Sequence, residues 1–125
     1  MNEINLEKIK NVHFVGIGGI GVSAIARMML AQGKKVSGSD ISESRITKEL
    51  TELGAHISVG HKAENIPTNT DLMIYTIAVS PNNPEYEEAT RRNITAISYP
   101  EFLGIISENM FTIAVSGTHG KTTTT

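Results

Sequence analysis

The sequence predicts an α/β fold, a three-layer sandwich built on a mostly parallel sheet of five or six strands. Three observations lead there. Short apolar runs alternate with helix-patterned stretches along nearly the whole chain, and most of the helix-patterned stretches are closed by a glycine or followed by a turn. The first strand-to-helix junction carries the glycine cluster Gly16-Ile17-Gly18-Gly19-Ile20-Gly21. A second glycine loop, Gly117-Thr118-His119-Gly120-Lys121-Thr122-Thr123, follows the last apolar run. Strictly alternating elements imply parallel strands, because each parallel strand needs a crossover, and the crossover helices cover both faces.

Residues 12–17, Val-His-Phe-Val-Gly-Ile, are apolar and end in glycines, as a buried parallel strand does. Residues 20–32 place Ile20, Ala24 and Met28, and also Ile25 and Met29, at helical spacing; Gly33 stops the helix. Residues 35–40 form a second strand leading into a polar loop. Residues 44–53 form a second helix, with Ile46, Leu50 and Leu53 on one face and Gly54 as its stop. Residues 55–59 are a third strand closed by Gly60 and His61, and residues 71–77 a fourth. Residues 84–92 form a helix with Pro84 in its first turn. Residues 94–98 are a fifth strand, residues 100–108 a helix with Phe102, Leu103 and Ile106 apolar, and residues 111–116 a sixth strand. The stretch 108–110 is the expected boundary. Residues 1–110 then form one nucleotide-binding domain, and residues 111–125 the first strand and phosphate loop of a second, ATP-binding one cut short by the chain end.

At 125 residues and 39% hydrophobic content, one core is expected. Aromatics make up only 5%, so that core is mostly Ile, Val, Leu, Ala and Met. The formal charge is −2 with Lys and Arg scattered, which argues against nucleic acid as a partner. A phosphate ligand stays open, since backbone N–H groups bind one without any lysine. There is no cysteine, so disulfides and thiolate metal sites are excluded. No apolar run reaches membrane-spanning length, and residues 1–10 lack a signal-peptide core. No membrane partner and a cytoplasmic location are expected.

The first glycine cluster matches G-x-G-x-x-G at Gly16, Gly18 and Gly21, between a strand and a helix as its mechanism requires. In a Rossmann-like fold Gly16 permits the tight turn, Gly18 lets backbone approach a diphosphate, and Gly21 lets the helix pack closely. Gly19 and Ile20 lie within the same loop. The bland alternative is a glycine turn that only packs a helix on a strand. Asp40 ends the second strand about 20 residues on, where an acid accepts ribose hydroxyls; it equally suits a helix cap or a solvated turn. Ser37 and Ser39 offer polar contacts or are ordinary surface serines. His61, after the third strand, is either a ligand contact or an exposed loop histidine. His13, inside a strand, is expected to be a hydrogen-bonded core residue. Glu85 to Glu88 with Arg91 and Arg92 read as a solvated helix face, and Met28-Met29 as core filler. His56 and His61 have no metal-ligand spacing with other residues.

The second loop departs from G-x-x-x-x-G-K-[ST], because Val115 stands where the first glycine belongs. Its chemistry persists: N–H groups wrap a phosphate, Lys121 reaches the terminal phosphates, and the Thr122 hydroxyl can ligate Mg²⁺. His119 either contacts a ligand or shapes the turn.

This shorter loop, with the opening His13-Phe14-Val15-Gly16-Ile17-Gly18-Gly19-Ile20-Gly21, the segment Ser37-Gly38-Ser39-Asp40 and Asn83-Pro84-Glu85, resembles the Mur ligases of peptidoglycan synthesis, in the branch acting on UDP-N-acetylmuramate. The matches run in register over nearly the whole chain. The resemblance implies that the first domain binds the UDP moiety, with the Gly16 loop on the diphosphate and the Asp40 region on the uridine. His61 and the turn Thr76-Ile77-Ala78-Val79 would complete the site. The family often has two serines where this chain has Thr76 and Ile77, so only a backbone contact survives at the second. The implied reaction is amide formation: ATP phosphorylates the muramyl carboxylate, and the amine of L-alanine displaces phosphate. Lys121 and Mg²⁺ on Thr122 would neutralise charge, within the ATP site Gly117 to Thr123. A fragment of this kind is not expected to turn over alone. Three alternatives stand beside it: a ligase attaching a peptide to the same acceptor, a nicotinamide-dependent dehydrogenase, and a non-catalytic nucleotide-sensing module.

Overall fold

A computed structural model describes residues 7–80 and 82–107. The expected alternation is present as β1 (Asn11–Val15), α1 (Ile20–Ala31), β2 (Lys35–Asp40), α2 (Arg45–Glu52), β3 (His56–Val59), a 3-10 turn (Ala63–Asn65), β4 (Leu72–Tyr75), α3 (Pro84–Arg91) and β5 (Thr95–Ser98). A further helix, α4, runs over 99–107. Each strand pairs in parallel with its neighbours, in the order β3-β2-β1-β4-β5. The sixth strand at 111–116, the loop at 117–123 and the boundary at 110 lie outside the described residues.

Strand side chains alternate between faces. One face of the sheet carries Val12, Phe14, Val36, Leu72, Ile74 and Ile97, packed beneath α1, α2 and α4 through Val22, Ile25, Ala26, Met29, Leu50 and Phe102. Fully burying each of the larger side chains stabilises the fold by about 1.5–3 kcal/mol. The opposite face is smaller: Val15 and Met73 meet Ile66 and Ala89 under α3. On that same face, by register, stand His13, Ser37 and Ser39, all buried. Between β3 and β4 the 3-10 turn supplies the only helical structure in place of a crossover helix.

Two expected faces are corrected. The buried stripe of α1 is Val22, Ser23, Ile25, Ala26 and Met29, whereas Ile20 is 84% exposed and Ala24 is exposed too. The apolar residues of α1 fit two overlapping stripes, and Ile20, at the first helical position, stands clear of the core. Leu53 is exposed because α2 ends at Glu52 and Leu53 is its C-cap; Thr47 takes the inner position beside Leu50.

Gly38 lies mid-strand on β2. A Cβ there would fall 2.5 Å from Ile17 Cδ1 and 2.9 Å from the Phe14 carbonyl oxygen. Its absence lets Ile17 fold down over β2 and become fully buried, which seats the glycine loop on the sheet.

Candidate functional site: the crevice at the ends of β1 and β4

The chain travels outward from β1 through β2 to β3, then returns to place β4 on the other side of β1. The β1/β4 junction is therefore the topological switch point, where open α/β sheets leave a crevice beyond their carboxyl ends. Gly16 follows β1 there with φ +84°, a conformation that favours glycine. Thr76 follows β4, and its Cγ2 and Oγ1 lie 2.7 and 3.1 Å from where a Gly16 Cβ would be. The N–H groups of Gly16 and Ile17 both donate to the Ser39 carbonyl (2.8 and 3.0 Å), so the loop is tied to the end of β2.

The loop then opens α1 in an unusual way. Gly19 is its N-cap and provides no side-chain cap. The Ser23 N–H closes the first helical bond to the Gly19 carbonyl, leaving the N–H groups of Ile20, Gly21 and Val22 for something outside the helix. By contrast α2 is capped by Ser44 and Thr47 reciprocally, and α3 by the Asn83 side chain. Three free donors at the positive end of a 12-residue helix are chemically able to hold an anion.

Asp40 bends into this loop. Its Oδ2 accepts the Gly18 N–H (2.7 Å) and its Oδ1 the Ile41 N–H (2.7 Å). A Cβ on Gly18 would sit 2.7 Å from that carboxylate and 3.3 Å from Thr47 Cγ2, so Gly18 makes room for Asp40. An anion consequently belongs on the Ile20–Val22 side of the loop, away from Asp40, while each Asp40 oxygen keeps a lone pair for a hydroxyl. At Gly21 the sequence predicted close helix–sheet packing. The neighbour is instead the Tyr99 ring at the start of α4, whose hydroxyl and edge occupy the place of a Cβ.

Beneath the β2 end lies a polar cluster the sequence reading missed. Glu85, expected on a solvated face, is fully buried. Its Oε1 accepts His13 Nε2–H (2.6 Å) and the Ser39 hydroxyl (2.9 Å); its Oε2 accepts Asn65 Nδ2–H (2.7 Å) and the Lys62 N–H (3.1 Å). Burial, the largest single influence, pushes the Glu85 carboxyl up. The hydrogen bonds from His13, Asn65 and Ser39, with the electrostatic pull of His13, outweigh it and leave the group below the usual carboxylate range. Its place in the first turn of α3 favours the anion as well. His13 Nδ1 meets the Ser37 hydroxyl at 2.7 Å, and Ser39 Oγ meets His61 Nδ1 at 2.9 Å. A signal existed: His13, Ser37 and Ser39 are three polar residues on one face of two buried strands, and buried polar groups need partners.

The expected site residues thus fall into groups. Gly16, Gly18, Gly19, Ile20, Gly21 and Thr76 come together at the crevice, with Asp40 beside Gly18. Ser39 is wholly buried and reaches the surface only through His61, which is partly exposed. Ala78 is exposed in the turn beyond Thr76, next to Ile77, 78% exposed. The ATP-site residues Gly117, Thr118, His119, Gly120, Lys121, Thr122 and Thr123, including the Mg²⁺ ligand at Thr122, lie outside the described residues. Among the described residues no group of three His, Cys, Asp or Glu side chains could hold a metal ion, and no helix is long and apolar enough to cross a membrane. A cleft of about 510 Å³ lies at the opposite end of the strands, lined by Asn11, Leu30, Lys35, Leu53 and His56 among others. It has neither a glycine loop nor a helix N-terminus, so the anion chemistry stays with the β1/β4 crevice.

Known proteins share this chain's sequence pattern and fold. The family model described as "Mur ligase family, catalytic domain" matches residues 11–110. The UDP-N-acetylmuramate–L-alanine ligase of Clostridium tetani is 54% identical over 121 residues, 96% of this chain and 26% of the relative. Its namesake from Aquifex aeolicus is 53% identical over 119 residues, 95% of this chain and again 26% of the relative. The chain therefore spans about a quarter of the length of these curated relatives. Among solved structures, the UDP-N-acetylmuramate–alanine ligase of Thermotoga maritima superposes with a TM-score of 0.76 at 38% identity, covering 81% of this chain and 23% of that one. An imine reductase from Myxococcus stipitatus, solved with NAD⁺, shares the fold alone: TM-score 0.55 and 20% identity over 73% of this chain and 31% of its own.

Proposed function

The chain belongs to the Mur ligase family, and from that premise we propose that it is the uridine-nucleotide-binding part of a UDP-N-acetylmuramate–L-alanine ligase. The observation that carries the reading is the identity of 54% to a ligase of that name along 96% of the chain. The uncapped start of α1 at the switch point supports it independently, because a diphosphate is the anion that such a mouth suits.

In this reading the N–H groups of Ile20, Gly21 and Val22 hold the diphosphate, with Gly16, Gly18 and Gly19 shaping the loop beneath it. Asp40 takes a ribose hydroxyl. His61, Thr76 and Ala78 border the ligand, and Ser39 acts from behind His61. The muramyl carboxylate would be phosphorylated by ATP, and the amine of L-alanine would then displace phosphate to form the amide. Gly117 to Thr123 would cradle ATP, Lys121 would offset charge on the transferring phosphoryl group, and Mg²⁺ on Thr122 would supply further charge neutralisation. Such transfer depends chiefly on positioning, so holding a remote UDP handle contributes orientation to the step. Residues 1–110 are then the UDP-binding domain and 111–125 the entry to the ATP-binding one. The setting is cytoplasmic peptidoglycan synthesis, without nucleic acid or membrane as partner.

Calorimetric titration of the chain tests the reading. UDP-N-acetylmuramate is expected to bind and NAD to produce no heat of binding. Comparable heats with NAD would favour a dehydrogenase-type site and defeat it.

A further inference from the structure

We propose that Glu85, acting through Ser39, fixes the hydrogen-bonding sense of His61 and so makes the β3 end of the crevice selective for a uracil base. The inference rests on the uridine-nucleotide reading above and adds the residue set that chooses the base. Ser39 has a single hydroxyl proton. It donates that proton to Glu85 Oε1 at 2.9 Å. The Ser39 oxygen, 2.9 Å from His61 Nδ1, is therefore an acceptor toward the ring, and His61 must carry its proton on Nδ1. In the neutral imidazole Nε2 is then left as a lone-pair acceptor. Nε2 has no partner among the described residues, and the His61 side chain is 19% exposed while that of Glu85 is sealed.

A depressed Glu85 carboxyl supports this sense, since an ionised carboxylate can only accept. Lys62 N–H and Asn65 Nδ2–H saturate its second oxygen, so Ser39 has no competing arrangement there. Topology supplies the ligand side. With the diphosphate at the end of β1 and the ribose at Asp40 on β2, the base falls one strand further out, about 4.8 Å on, over the end of β3. Gly60 N–H donates to the Asp40 carbonyl at 2.7 Å, which fixes His61 beside the ribose position. Uracil presents N3–H, a donor, to an acceptor at Nε2. Cytosine presents a bare N3 and would set two lone pairs against each other, and a site built for one hydrogen-bonding sense rejects the other strongly.

The test combines nitrogen-15 NMR of the His61 ring at neutral pH with calorimetric affinities for UDP and CDP, on the wild-type chain, Glu85→Gln and Ser39→Ala. Wild type is expected to show a protonated Nδ1, a bare Nε2, and UDP bound at least about tenfold more tightly than CDP. Both variants are expected to lose the fixed tautomer, with the UDP/CDP ratio falling toward one. A merely structural Glu85 would leave the ratio alone in any variant that folds. Protonation on Nε2 in wild type, or an unchanged ratio in Ser39→Ala, overturns the proposal; should Glu85→Gln fail to fold, the wild-type tautomer and the Ser39→Ala ratio decide it. UDP binding with equal CDP binding overturns this inference alone. A chain that binds neither nucleotide overturns the uridine reading and this inference with it.

Discussion

Glu85 shows how a single side chain can hold a site without facing it. Four hydrogen bonds converge on its carboxylate from β1, β2 and the segment after β3. Glu85→Ala strands four donors at once, two of them in buried bonds, and is expected to destabilise the fold by about 3 kcal/mol or more, read by urea unfolding. Its pH dependence has a definite sign. The hydrogen bonds hold the folded-state carboxyl below its ordinary range, so the stabilisation is fully present above the unfolded-state pKa and fades as pH falls through the folded pKa. The stability gap between wild type and Glu85→Gln should therefore be widest near pH 7 and shrink in acid; a gap that widens on acidification would refute the assignment. Gly38→Ala should cost about 1–3 kcal/mol, because the Phe14 carbonyl 2.9 Å from the new Cβ is backbone and cannot swing aside. At this scale the sequence was least legible. Gly16 and the packed nature of His13 could be read from local pattern. Glu85 could not, since its partners lie 20 to 72 residues away and only their shared face reveals the need for it.

Among the elements, the contrast between helix starts carries the functional meaning. α2 and α3 spend side chains on their N-termini, whereas α1 leaves its first turn open beneath Gly19. Gly19 has φ −66° and ψ 152°, which any residue adopts, and a Cβ there meets nothing closer than 3.5 Å. Gly19→Asp is thus expected to fold with unchanged or slightly raised melting temperature, since a carboxylate caps better than glycine. The same carboxylate would occupy the free donors, and affinity for UDP-N-acetylmuramate should drop at least about tenfold. Loss of stability without loss of binding would contradict the anion-site reading. Strands and helices themselves were readable to within two residues at most ends, because glycines at 33, 54 and 60 punctuate them. The inward face of α1 was not, since two apolar stripes overlap on it and packing against β1 and β2 alone selects one.

At the level of the whole molecule, the order β3-β2-β1-β4-β5 does what no single motif can: it puts the Gly16 loop and the Thr76 turn side by side and sets Asp40 and His61 in a row leading away from them. Parallel alternation was legible from the sequence, but the strand order was not, because it depends on which side of β1 the return from β3 to β4 takes. That order also explains why the cleft at the far end of the strands is not where the free helix donors converge. Amide chemical-shift mapping of the chain with UDP-N-acetylmuramate separates the two ends directly. Shifts concentrated at Gly16 to Val22, Asp40, Ile41, Gly60, His61 and Thr76 to Ala78 are predicted; shifts concentrated instead at Asn11, Lys35, Gly54 and His56 would contradict the assignment of the site.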